Sequence, residues 1–352
     1  MSRTTSRRSR AVLLTATVVG ALALAACGTA SAPGQPPGPT TPSGSGSSSR
    51  TTYPLTVTQC GRTLTFDKAP QVVVVDGERY ALPLFDMGVG DRVTALFSHL
   101  AGAIPPDLGT PKDVLAKLTS LPALVGTAQS AYPSKEAFLA AKPDLVVEAY
   151  DGDAGNGDRK GTDALVALGI NVFTLSPSCT GASLAASMQD TVTLGRILDV
   201  PDAAQQLVAS WNKRIAAATA KAVAAGSGTP SVFFLDGISD KGEIWSNTGT
   251  FARELVAAGG GRLVPESGNA GDIYSVSKES VVTSNPDILL TYNTGATVDA
   301  PDKVAAFWPL IAGSPAEKAR TYTVVPYPDG AGNVEFIEHL ADAVVAFKSA
   351  AS

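Results

Sequence analysis

The sequence predicts an α/β protein of two similar lobes joined by one long helix. The first observation is a repeat. Ser134-Lys135-Glu136 and Pro143-Asp144 recur as Ser277-Lys278-Glu279 and Pro286-Asp287, 143 positions further on. In each copy Ser opens a short helix as N-cap, Glu sits in its first turn and Pro closes it. A run of branched aliphatics then reads as a buried strand. The second observation is that strand and helix patterns alternate on both sides of residue 200. The third is the segment 201–225, where good helix formers continue from Pro201 to Gly226 without a breaker. About 24 residues of helix would be about 36 Å long, either a strut between lobes or simply a long packed helix.

The chain opens on an address rather than a fold. Arg3, Arg7, Arg8 and Arg10 precede an apolar stretch, Ala11 to Ala23, too short to span a bilayer comfortably. Leu24-Ala25-Ala26-Cys27-Gly28 then resembles a bacterial lipobox. That resemblance implies cleavage before Cys27 and a lipid on Cys27; the plainer reading is a secretory signal with an incidental cysteine. Residues 28–52 are almost wholly Gly, Pro, Ser, Thr and Ala, a composition that buries nothing and makes a flexible tether spanning about 25–30 Å.

Losing residues 1–26 removes four Arg and no acid, which takes the net charge from −5 to −9. An acidic body argues against nucleic acid and against electrostatic adhesion to anionic lipid. Membrane attachment would come from acyl chains on Cys27. Cys60 and Cys179 remain. In an oxidising compartment they are expected to bridge, against the alternative of two separate buried thiols. There is no CxxC, HExxH or Cys/His cluster, so neither a zinc site nor direct iron ligation is expected, nor any resident cofactor.

The body then reads in order. Leu55–Thr58 and Thr63–Phe66 form a hairpin around Cys60-Gly61. Val72–Val75 is a buried strand and Ala81–Met87 a short helix. Val93–Phe97 is the next strand, and the first repeat copy adds a helix and a strand. Ala164–Leu168 is helical, Gly169 stops it, and Val172–Leu175 is a strand. After the long helix, Ser231–Leu235 is a strand and Phe251–Ala258 a helix ended by Gly259-Gly260-Gly261. The second copy, a strand at Thr321–Val325 and a helix from Glu335 to Ser349 complete the chain. The divisions expected are 1–26 signal peptide, 27–52 tether, 53–200 N-terminal lobe, 201–226 linking helix and 227–352 C-terminal lobe.

In this order the segments Lys68-Ala69-Pro70, Met87 to Val93, Glu136 to Val147, Leu194 to Leu198, Ala257 to Gly260 and Glu279 to Leu290 resemble the class III solute-binding proteins of ABC importers. These are receptors for ferric siderophores, haem and cobalamin. The resemblance implies two Rossmann-like lobes joined by a single long helix, a ligand cleft between them, and little hinge motion. It also implies that Glu136 and Glu279 dock with arginines of a membrane permease. The plainer reading is that each Glu complements its helix dipole, worth a few tenths to about 1 kcal/mol.

Ligands of open α/β sheets contact the loops beyond the carboxyl ends of strands. Those loops hold Glu78, Arg79 and Tyr80; Ser98 and His99; Tyr150 and Asp151; Asp236; Trp245 and Asn247; Tyr292 and Asn293; and Tyr327. Aromatics are only 6% of the chain, yet several fall here. Tyr and Trp give flat apolar faces with a polar tip, and Arg79 could pair with an anionic chelate. Arg79, Tyr80, Tyr150, Trp245, Tyr292 and Tyr327 are the candidate ligand contacts. The run Asp151-Gly152-Asp153 begins like a calcium loop but lacks the later ligands, and reads better as a cleft loop.

The expected function is therefore a lipid-anchored, monomeric binding protein on the extracytoplasmic face of the cell membrane. It would capture a ferric-siderophore-type chelate and hand it to the permease and ATPase subunits of an ABC importer, with no chemistry of its own. The same fold could hold haem, cobalamin or another large cofactor precursor. From other classes come a sensor or adaptor and a surface hydrolase. The hydrolase lacks a G-x-S-x-G motif, and its only histidine bases would be His99 and His339.

Overall fold

The computed structural model describes residues 49–97, 111–124, 133–149, 159–179, 181–239, 241–265, 273–292, 300–325 and 332–350. The expected signal peptide, Cys27 and the tether up to residue 48 lie outside them.

The first lobe opens with an antiparallel hairpin, β1 (Leu55–Gln59) and β2 (Arg62–Phe66), whose alternate residues Leu55, Val57, Leu64 and Phe66 are buried. Behind it stands a five-stranded parallel sheet. Its strands are β3 (Val73–Asp76), β4 (Val93–Phe97), β5 (Ala123–Leu124), β6 (Leu145–Glu148) and β7 (Asn171–Thr174), in the spatial order β5-β4-β3-β6-β7. Val73 and Val75 pack into one core cluster and Val74 into another on the opposite face. Such two-sided burial is why the strand reads as continuous aliphatics rather than alternating ones. The helices of this lobe are α1 (Gly77–Asp86), α2 (Lys112–Ser120), α3 (Lys135–Ala141) and α4 (Arg159–Ala167).

Helices α5 (Leu184–Ile197) and α6 (Pro201–Ala224) follow. The long α6 is the helix expected from its composition, with Pro at its first position where no N–H is needed. Its beginning packs on the first lobe through Ala203, Ala204 and Leu207. Its remainder is fixed to the second lobe. Arg214 forks onto Glu335 at 2.7 Å and Glu338 at 2.6 and 2.9 Å, and Thr219 donates to the Ala258 carbonyl at 2.6 Å. The last residues of the expected tether are not free. Ser49 N donates to Asp202, Thr51 N to Asp199 and Tyr53 Oη to the Ile197 carbonyl, which pins the chain to the α5–α6 turn.

The second lobe holds β8 (Ser231–Ile238), β9 (Ile244–Asn247), β10 (Arg262–Val264), β11 (Ile273–Val276), β12 (Ile288–Tyr292) and β13 (Tyr322–Val325). β10 and β12 pair parallel to β8, and β13 parallel to β12; β9 and β11 run antiparallel at the other edge. Val232 and Phe234 face one core cluster, Phe233 and Leu235 the other. Its helices are α7 (Thr250–Ala258), α8 (Lys278–Ser284), α9 (Ala300–Phe307), α10 (Pro315–Ala319) and α11 (Gly332–Ala350).

The repeat is a true structural repeat. Ser134 Oγ accepts from Ala137 N and Ser277 Oγ from Ser280 N, so both serines cap. Closure differs from the expectation in one respect. The turn is made by the residue before each proline, Lys142 at φ 49° and Asn285 at φ 40°, both left-handed. The proline only prevents the helix from resuming. The Asp of each Pro-Asp then takes a staple role. Asp144 accepts from Gln71 N and Val72 N at the start of β3, and Asp287 from Ser231 N and Oγ at the start of β8.

Candidate functional site

In the first lobe, β3 and β6 end in buried acids, Asp76 and Glu148. Asp76 Oδ2 accepts from Ala149 N at 3.0 Å, tying the two strand ends together. Glu148 accepts from the Thr162 hydroxyl at 3.1 Å and from the Thr174 hydroxyl; Thr174 in turn accepts from Arg62 Nη1 at 3.3 Å. Neither acid was singled out from the sequence. The available signal was a carboxylate closing an otherwise aliphatic strand.

Glu78, Arg79 and Tyr80, expected in a loop after β3, instead lie in the first turns of α1. Gly77 at φ +78° turns the strand directly into the helix, which leaves no loop. Arg79 is half-buried. Tyr80 is 9% exposed and belongs to the lobe's core with Leu84 and Met87. Its ring serves packing in this conformation.

In the second lobe, the β8–β9 ladder slips register between Leu235 and Gly237, so Asp236 is the extra residue of a bulge. Bulges re-aim side chains, and here the Tyr292 hydroxyl, from the end of β12, hydrogen-bonds to Asp236. Lys303 on α9 donates to the Asp236 carbonyl at 3.3 Å and to the Tyr292 carbonyl at 3.4 Å. Its ammonium stands 4.9 Å from the centre of the Tyr292 ring. Burial raises the Asp236 pKa, with the Tyr292 hydrogen bond and the Lys303 charge acting the other way. Burial likewise lowers that of Lys303, against the attraction of Asp236. Tyr292 is 5% exposed, with its ring edge-on to Phe234. Trp245, expected in a loop, is half-buried on β9 opposite Gly237, where a side chain would meet open space. Lys303 was missed; the one signal was that it is the only basic residue of α9.

The structure thus brings Tyr292, Asp236 and Lys303 together, with Trp245 on the neighbouring strand. Arg79 and Tyr80 belong to the other lobe. Tyr150, Tyr327, His99, Ser98, Asp151 and Asn293 lie outside the described residues. His339, the second candidate histidine base, is half-buried, with Nδ1 3.3 Å from the Val324 carbonyl of β13. Cys60 and Cys179 lie side by side, their Cα atoms 5.3 Å apart, within the range a disulfide requires. Among the described residues no group of three His, Cys, Asp or Glu side chains could hold a metal.

Glu136 and Glu279 occupy matching places. A helix that feeds a parallel strand runs back against it, so α3 and α8 both begin at the end of their sheets where the parallel strands finish. Both carboxylates are exposed, and neither has an ion-pair partner among the described residues. Each carboxyl is held below its usual range by its own backbone N–H and by the capping serine, Ser134 or Ser277. They are therefore charged throughout the neutral range.

Residues 80–325 match the model of the periplasmic binding protein family, and the chain belongs to that family. It is 25% identical over 259 residues to a cobalamin-binding protein of Halobacterium salinarum, an alignment covering 72% of this chain and 62% of that relative. A crystal structure of an ABC-type Fe3+-hydroxamate transport system from Saccharomonospora viridis superposes with a TM-score of 0.68 at 24% identity, covering 83% of this chain and 99% of the other. The haem-binding protein RhuT of Roseiflexus sp. RS-1 gives 0.60 at 22% identity, covering 80% and 99%. These likenesses establish the fold: two α/β lobes of the periplasmic-binding-protein type.

Proposed function

We propose that this chain is a lipid-anchored, monomeric solute-binding protein that captures a ferric-siderophore-type chelate outside the cytoplasm and delivers it to an ABC importer. The observation that carries the reading is the matched pair Glu136 and Glu279. Each is exposed and charged, and each sits on an equivalent helix of a two-lobed binding-protein fold. Helix-dipole compensation alone would not require the same acid at the same place in both lobes. Exposed carboxylates meeting arginine forks supply orientation and association rate. Lipid on Cys27 would hold the body at the membrane, and Cys60 and Cys179 would bridge after export.

On this reading the ligand lies between the lobes. Arg79 would meet it from one side, and Trp245, Tyr292 and Lys303 from the other, with Tyr150 and Tyr327 completing the wall. Arg79 and Lys303 favour an anionic chelate; the aromatic faces favour a bulky one. Iron would be held by the chelator. A second reading keeps the fold and changes the ligand to haem or cobalamin. It draws on the cobalamin-binding relative and on a buried tyrosine whose hydroxyl is held by a carboxylate.

Tryptophan-fluorescence titration separates the readings. The titrants are a ferric hydroxamate, a ferric catecholate, haem and cobalamin. Saturable quenching by a ferric chelate, abolished in Trp245→Phe, is the expected result. Quenching by haem or cobalamin alone moves the assignment to the second reading, and no response to any titrant removes the ligand class. Import should fail in Glu136→Ala/Glu279→Ala while titration is unchanged.

A further inference from the structure

Five large apolar side chains are conspicuously exposed among the described residues: Leu139, Leu168, Val223, Val282 and Tyr322. Two of them occupy the same position of the repeat. Leu139 lies three residues after Glu136, and Val282 three residues after Glu279. Positions i and i+3 of a helix share a face. Each repeat helix therefore presents one carboxylate and one aliphatic group side by side, 42% exposed at Leu139 and 61% at Val282. The residue before each, Phe138 or Val281, is fully buried and fixes the rotation of the helix about its axis. A single exposed aliphatic needs no explanation. The same exposed aliphatic beside the same charged carboxylate in both lobes does, because packing already satisfies the helix through Phe138 and Val281.

The short helix α10 shows the contrast. It is also capped by a serine, Ser314, and also closes on a left-handed residue, Arg320. Its glutamate, Glu317, is however paired with Arg320 at 3.2 Å. A serine-capped helix in this fold can use its acid internally. The two repeat helices leave theirs outward, each next to an outward aliphatic.

We infer that Leu139 and Val282 are apolar anchors of the docking surface, each seating in a hollow beside a cationic side chain at two equivalent sockets of a two-fold symmetric permease. The inference rests on the docking role proposed for Glu136 and Glu279, and it assigns the other half of each contact. Charge complementarity identifies the occupant: two fixed anions at equivalent places call for two equivalent cations, which a symmetric dimer supplies. The carboxylates steer the encounter, and the aliphatics hold the complex once water is excluded from them.

The test is binding kinetics of the full-length protein to purified permease–ATPase complexes of the chelate-importer class from the same cells, held in nanodiscs. Leu139→Ser and Val282→Ser should each raise the dissociation rate about tenfold, the loss expected for one buried aliphatic. The association rate and its salt dependence should stay as in the unaltered protein. Glu136→Ala/Glu279→Ala should instead slow association and flatten its salt dependence. If the glutamate variants weaken binding and the serine variants do not, the apolar anchors are refuted and docking through the carboxylates stands. If only the serine variants weaken binding, the anchors stand and the carboxylate role falls. If the unaltered protein binds no such complex, both are refuted. Chelate titration, unchanged in all three variants, excludes misfolding as the cause of any loss.

Discussion

Segments 134–149 and 277–292 follow one path through the two lobes and arrive at different chemistry. Each starts with a capping serine, carries an exposed glutamate, closes on a left-handed residue and staples the neighbouring strand through an aspartate. The strand of the first copy then ends at Glu148, buried among the hydroxyls of Thr162 and Thr174. The second ends at Thr291 and Tyr292, with Tyr292 bound to Asp236 beneath Lys303. What is repeated lies on the outer helices, where a symmetric partner would make the same demand twice. What has diverged lies at the strand ends, where one asymmetric ligand would touch each lobe differently. The first lobe also carries a separate two-stranded sheet, a cysteine pair and the buried Asp190, with no counterpart among the described residues of the second lobe.

Removing that addition should have the largest effect. Cys60 and Cys179 are 119 residues apart in sequence. A bridge closing so long a loop stabilises by about 4–5 kcal/mol in the chain-entropy account. Cys60→Ser/Cys179→Ser should lower the unfolding free energy by that amount, and reductant should do the same to the unaltered protein. Insensitivity to reductant would show that the thiols are separate and that the hairpin is held by packing and by the hydrogen bonds of Gln59 and Arg62. Within the repeat, Phe138 and Val281 fill the same place with different volumes, both fully buried. Phe138→Ala should cost about 4 kcal/mol and Val281→Ala about 2 kcal/mol. Equal losses would mean that one site collapses around its cavity.

Much of this comparison was legible beforehand, because it rests on local chemistry. Caps, breakers, the spacing of Ser, Glu, Pro and Asp, and the unbroken formers of α6 are all short-range signals. Glu148, Asp76 and Lys303 were not legible. Their significance comes from the β8 bulge, the parallel register of β3 with β6, and the approach of α9, all set by pairing between distant segments. The loop reading for Arg79 and Tyr80 failed for a local reason: one glycine at positive φ replaced a whole loop. Trp245 failed as a loop residue because antiparallel pairing with β8 depends on a partner eight positions earlier, Gly237, not on the residues around the tryptophan.

Asp190 sharpens the asymmetry through pH. It accepts from Gln59 Nε2 at 2.8 Å and from Ser176 N and Oγ at 2.6 Å, joining the hairpin to α5. Burial pushes its carboxyl up to about 6, against those hydrogen bonds. The folded protein therefore holds this proton more tightly than the unfolded chain does. The associated stability is complete below about pH 4 and is lost as pH rises through about 6, amounting to about 3 kcal/mol. Asp190→Asn should flatten the stability profile across that window. An unchanged slope there would show that other groups set it.

The two aspartate staples should separate by environment. Asp144 is exposed and Asp287 half-buried, each accepting two hydrogen bonds. Bonds to a carboxylate contribute about 1.5–3 kcal/mol when shielded and less in water. Asp287→Ala should therefore cost about 2 kcal/mol and Asp144→Ala about 1 kcal/mol in denaturant titration. The reverse order would mean that the first lobe depends on its staple more than its exposure implies.

The smallest effect exchanges the two helix ends. Lys142 and Asn285 hold the same left-handed turn, at φ 49° and 40°. Asn tolerates that region better than Lys, because its short polar side chain can bond locally while a longer chain pays the full Cβ clash. The first copy therefore carries a strain that the second avoids. Lys142→Asn should stabilise by about 0.5 kcal/mol and Asn285→Lys should destabilise by a similar amount, in line with the usual scale of such backbone effects. Lys142 is exposed and belongs to no ion pair among the described residues, so the exchange tests backbone conformation with little else changed. Opposite signs at the two positions would establish that the repeat is one backbone device served by two sequences. The same sign at both would mean that the surrounding lobe, and not the turn, decides which residue fits.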